Sequence, residues 1–244
     1  MESQPVIDLG RPRSVADILA SALDLYQGFP WLFLILALAV VLPYDLIRLA
    51  ITGHGYLASG KDSVGAAVVF GVVGFALVGP LISALHIHAV VVIGDGRTPR
   101  MGAVALQGLR VLPVVAAAEI VATLGIAAGF LALIIPGILL WLRWAVVAQG
   151  AAIQPDGWLP ALRRSRDLTR GHYWHIFWLV VIVTVLNGGI ALAARAIPGA
   201  GSSGAGAVAL GVAVNTITAS FSALTLAILY FDLVARRRGA PDLP

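Results

Sequence analysis

The chain has 244 residues, of which 59% are hydrophobic and only 11% charged, with a net charge of +4 and no cysteine. Soluble globular domains hold about 45–50% apolar and about 25% charged residues, so the apolar excess is more than one soluble core would bury and places the chain in a membrane. Zero cysteines exclude disulfides and thiolate metal sites.

The opening segment, MESQPVIDLGRPRSVAD, carries acids and a proline before any long apolar run. A secretory signal sets a short basic segment directly before one, so no cleaved signal is expected. Ser14-x-x-Asp17 then has the spacing of a capping box. Val15, Ile18, Leu19, Ala22 and Tyr26 follow at helical spacing, which predicts an amphipathic helix lying at the membrane interface.

Six spans are predicted from runs near or above the roughly 18 apolar residues that cross a bilayer. The first is Phe29–Leu49, with Asp45 and Arg48 spaced as a span-end salt bridge. The second is Val64–Ile93, kinked at Pro80. His86 and His88 within it are two apart and point about 200° from each other on a helix, so they cannot share a metal ion by themselves. The third, Val111–Ile134, holds Glu119 and the small-residue run Gly125-x-x-x-Gly129, which favours close helix packing. Pro136-Gly137 is read as the turn into the fourth span, Gly137–Ile153, which holds Arg143. The fifth is Trp174–Ala196 and the sixth Ala205–Val234, joined by the Gly/Ser-rich run 199–206.

The segments TPRMGAVALQGLRVLP and DGWLPALRRSRDLTRGHYW precede the third and fifth spans as the Ser14–Tyr26 region precedes the first. The expected architecture is therefore an all-α integral membrane domain over residues 1–244. Its six helices form three pseudo-repeated hairpins, each entered through an interfacial amphipathic helix, with a short basic tail at 235–244. Twelve of the sixteen Lys and Arg fall on one side: residues 11 and 13, then 97, 100 and 110, then 163, 164, 166 and 170, then 236–238. The positive-inside rule makes that side, with both termini, cytoplasmic.

Three stretches carry a family likeness. Residues 9–26, LGRPRSVADILASALDLY, resemble the opening of the membrane domain joined to some bacterial glycerophosphoryl diester phosphodiesterases, and of its stand-alone relatives. Ile135-Pro136-Gly137, with Ala161-Leu162 through Ser165 and Leu168-Thr169-x-Gly171, is similar to that family's I-P-G turn and A-L-x-R-S-x-x-L-T-x-G element. Leu229-Tyr230-x-Asp232 with Arg236–Arg238 looks like its closing motif. The resemblance implies a bacterial cytoplasmic membrane protein associated with lipid or glycerophosphodiester metabolism. It brings no phosphodiesterase, whose soluble barrel has no room in a chain filled by spans. Where the family usually carries a glutamate before the A-L pair, this chain has Gln154.

Ionisable groups inside spans are costly and mark candidate sites. Glu119 and Arg143 lie about 12 Å and about 9 Å from opposite starts of their spans at 1.5 Å per residue. They read either as a pair or polar cavity that binds an anionic group, or as a locally bonded glutamate and an arginine that snorkels between Trp141 and Trp144. Asn187 and Asn215 can bond across helices or line a hydrophilic path. Arg163, Arg164, Arg166 and Arg170, with His172, Trp174 and His175, read as contacts to lipid headgroups. No Ser-His-Asp grouping, phosphate loop or metal motif is present, so neither catalysis nor a cofactor is expected, nor a nucleic-acid partner. The expected function is binding or transport of lipid-related or small anionic solutes. A structural module recruiting a partner and an ion channel formed by a homo-oligomer remain open.

Overall fold

A computed structural model describes residues 7–239, all-helical and without a strand among them. Residues 1–6 and 240–244, the ends of the expected N-terminal segment and basic tail, lie outside the described residues.

The first helix, α1 (Val15–Gly28), starts at the expected capping box. Ser14 Oγ accepts the Asp17 N–H at 3.2 Å, and the Asp17 carboxylate accepts the Ser14 N–H at 3.1 Å. Ile18, Ala22 and Leu25 are buried, against α2 and the last helix, so the apolar stripe faces protein. Ser14→Ala should destabilise the fold by about 1 kcal/mol, seen as an earlier thermal transition in detergent. The hydrogen bond from Ser14 holds the Asp17 carboxyl below its usual range. The box therefore contributes above the unfolded carboxylate's range and is lost as the pH falls through the lower folded value.

Six helices or helix pairs are long and apolar enough to cross a membrane. Span one is α2 (Pro30–Thr52). Span two comprises α3 (Val64–Val73), a π-turn segment over Gly74–Val78, and α4 (Gly79–Gly94). Span three is α5 (Met101–Ala132). Span four is α6 (Ile134–Arg143) followed by α7 (Val147–Ile153). A short helix, α8 (Trp158–Thr169), leads to span five, α9 (Tyr173–Arg195), and span six is α10 (Ala205–Gly239).

Three expectations are corrected. The segment before span three is no separate helix: α5 runs without a break through Pro113, as membrane helices tolerate where neighbours re-satisfy the freed carbonyl. The turn between spans three and four falls at Leu133, which is extended (φ −164°, ψ 150°), while Pro136 and Gly137 lie inside the first turn of α6. A proline there removes an N–H that has no helical partner anyway. The basic tail begins later than residue 235, because Arg236–Arg238 are still on α10.

The ion pairs also regroup. Arg48 pairs with Asp62 beyond span one, both side chains buried, and Asp45 instead accepts Asn215 Nδ2 at 3.0 and 3.1 Å. At the arginine-rich end, the fully buried Asp232 carboxylate collects the Arg13 backbone N–H at 2.5 Å, Arg236 Nε at 2.8 Å and His175 Nε2 at 3.2 Å. Arg236 closes the ring by donating to the Arg13 carbonyl. This joins the N-terminal segment, α9 and α10.

Candidate functional site

Two of the six spans are interrupted at mid-length, and the interruptions meet. In span two, Gly71, Gly74, Gly79 and Pro80 surround the π-turn. A π-turn and a proline each leave backbone groups out of the α-ladder. In span four, Trp144–Val146 form a turn between α6 and α7. The last carbonyl of α6, that of Arg143, accepts Ser165 Oγ at 2.9 Å and Thr169 Oγ1 at 3.2 Å, both from α8. Irregular backbone at membrane depth persists only where protein buries it or a cavity receives it, and here both conditions hold.

Between the breaks lies a cavity of about 450 Å³, lined by residues from all six spans, within the usual size range of small-molecule sites. Its polar wall comprises Glu119 of α5, Ser83 of α4, and Gln149 of α7. The backbone amide of Ala148 faces the Glu119 carboxylate. Gln149 is 1% exposed, and neither its Nε2 nor its Oε1 has a hydrogen-bond partner. An unpartnered buried amide costs about 1–3 kcal/mol per group, so these atoms await a partner. The remaining wall is aromatic and apolar: Tyr44, Phe70, Phe75, Trp141 and Trp144. Tyr44 is fixed by donating to the Phe70 carbonyl at 2.6 Å, its ring edge-on to that of Phe70. Trp144 is seated against Gly125, where a Cβ would stand 2.6 Å from the indole.

Glu119 is thus the one expected site residue that lines the cavity. Arg143 does not line it and makes no ion pair with Glu119 among the described residues. Its carbonyl is latched by α8, and its Nε is buried without a partner. Asn187 donates to Ser222 Oγ at 2.7 Å, linking α9 to α10, and Asn215 holds Asp45, so both amides bond across helices. Gln154 ends α7, its carbonyl accepting from Arg164 at 3.3 Å. Gln149 was missed by the sequence reading, although a lone amide in the apolar run WAVVAQGAAI is a visible signal.

No family model, curated protein or solved structure matches the chain.

The expected headgroup contacts divide. Arg163, Arg166 and Arg170 are exposed on and just after α8. Arg164 instead closes the end of α7, donating to the Gly150 carbonyl at 3.0 Å and to Asp156 at 2.7 Å. Trp174 is 74% exposed, edge-to-face with Phe177. His172 Nδ1 lies 3.2 Å from the Arg170 carbonyl, and His175 belongs to the Asp232 cluster. His86 and His88 serve separate partners. His86 bridges the Ile82 carbonyl and Ser220 Oγ at 2.8 Å each, stacked on Phe33, while His88 Nδ1 meets the Ala84 carbonyl at 2.6 Å.

Proposed function

We propose that this chain is a non-enzymatic polytopic membrane protein that binds an amphipathic, lipid-related solute in its central cavity and carries it across the bilayer. The observation that carries this is Gln149, whose two buried, unpartnered amide atoms lie beside Glu119 where two interrupted helices meet. Interrupted helices facing a mid-membrane site are the usual construction of transporter binding sites. The apolar and aromatic wall takes the solute's body, and the polar wall takes its head.

No arginine or lysine lines the cavity, which favours a head other than an anion. The head is one that donates hydrogen bonds to a carboxylate and an amide oxygen. A cytoplasmic position for the arginine-rich end is part of this proposal, supported by the positive-inside rule, with the exposed Arg163, Arg166 and Arg170 against anionic lipid. Kinship with the glycerophosphodiesterase membrane domains is proposed on the three motif stretches. Its support is that their residues meet in space: Arg13 with Asp232 and Arg236, and Ser165 with Thr169 over the fourth span's break.

Native mass spectrometry of the protein released from its own membrane tests the reading. The wild type should keep a defined amphiphile. Gln149→Leu should release it, with affinity lowered about tenfold for a lost hydrogen bond at a buried amide, whereas Asn187→Ala, off the cavity, should retain it. A folded Gln149→Leu protein that holds the same molecule as firmly would overturn the assignment.

A further inference from the structure

The proposed cavity pairs a carboxylate with aromatic rings and supplies no cation of its own. We infer that its ligand class is an organic ammonium: an amphiphile whose alkylated or primary amine sits against Glu119 and the rings of Trp141, Trp144 and Tyr44. This deepens the cavity reading above and rests on it.

Three observations converge. First, Glu119 makes no ion pair among the described residues, although sixteen Lys and Arg are present in the chain. Arg143, at the adjoining break, does not line the cavity. An acid inside a membrane protein is costly unless a partner offsets its charge. A cationic ligand supplies such a partner.

Second, the rings are held in place as walls. Tyr44 is locked by its bond to the Phe70 carbonyl, and Gly74 makes room for its hydroxyl, since a Cβ there would lie 3.0 Å from that oxygen. Trp144 occupies the space left by Gly125, six residues beyond Glu119 on α5. Indole and phenol faces attract a desolvated ammonium by about 2 kcal/mol, and a ring cage with one carboxylate discriminates a cation from a neutral group of equal size.

Third, Gln149 adds both an acceptor and a donor at the same wall. Its Oε1 accepts from an N–H of the amine or from a hydroxyl beside it, and its Nε2 donates to an ester, hydroxyl or carbonyl oxygen of the same head. A hydrocarbon tail leaves along the apolar side, where Phe75 is 48% exposed at the outside of the bundle.

The test uses the full chain in lipid nanodiscs and two probes of matched length, n-octylammonium and an uncharged n-octyl glycol ether, with binding read by calorimetry. The wild type should bind the ammonium at least about tenfold more tightly than the ether, from the cation–π and ionic contributions together. Glu119→Gln should remove that preference. Glu119→Asp, which keeps the charge, should keep the preference even if the glutamine variant fails to fold. Equal binding of both probes to the wild type, displaced by Gln149→Leu, would refute the ammonium class while leaving the cavity reading intact. Binding of neither probe, with Gln149→Leu indistinguishable from wild type, would sink both.

Discussion

Asp232→Ala should lose about 3–5 kcal/mol of stability, the cost of removing one partner from a buried ionic cluster. The carboxylate is completely buried and accepts from a backbone N–H and a guanidinium, with an imidazole 3.2 Å away, drawn from three separate segments. Without it, the Arg13 N–H has no acceptor and Arg236 keeps only the Arg13 carbonyl. The N-terminal segment and α1 should therefore detach from α10 before the rest of the bundle melts. Limited proteolysis should cut first between residues 7 and 28, and the thermal transition in detergent should fall and broaden. Asp232→Asn keeps the shape and one acceptor and should fall between the alanine variant and the wild type. An alanine variant with a wild-type transition and no new cleavage near α1 would show that the cluster does not hold the termini together.

The same cluster shows what was legible in the sequence. Hydropathy is a property of long windows, and all six spans emerge, five of them within about five residues of their expected ends, while the third starts ten residues early at Met101. Asp232 and Arg236 have i, i+4 spacing on α10 and do pair. Asp45–Arg48 obeys the i, i+3 rule and does not form, because Asp62 and Asn215 reach the two side chains from other elements. Local spacing fixes which groups can meet on one helix, while tertiary packing decides which partner wins. Proline misled in the same way. Pro136 suggested a turn yet is harmless in the first turn of α6, while the break falls at Leu133, a residue with no turn signature.

The cavity was half legible. Glu119 stands out as a carboxylate in an apolar run, but its expected partner Arg143 does not line the cavity, and its carbonyl is taken by α8. The break after Arg143 carries no proline or glycine, only Trp144-Ala145-Val146. It is made by α8, whose Ser165 and Thr169 take the freed carbonyl. That contact spans more than twenty residues of chain, so no local pattern announces it. Gln149 follows directly from the break, since it lies at the start of the short helix the break creates.

Gly129→Val should be the most disruptive single change on the lipid-spanning part of α5. A Cβ at this position would stand 3.1 Å from the Gly137 Cα, 3.2 Å from its N and 2.9 Å from Leu140 Cδ1. Backbone atoms of α6 cannot swing aside as a side chain can, and valine adds two further methyls at the same point. The hairpin of α5 and α6 would have to open, at a cost of about 3 kcal/mol, the upper end for overpacked sites. Trp141 and Trp144 ride on that hairpin and line the cavity, so ligand retention should fall together with stability. Gly125→Ala separates the two effects. Its Cβ meets only the far edge of the Trp144 indole, which can rotate, so the fold should survive while the aromatic wall shifts. The expected result is a near-normal thermal transition with weakened ligand retention in Gly125→Ala, against loss of both in Gly129→Val. Loss of neither in Gly129→Val would mean that α5 and α6 do not pack glycine to glycine.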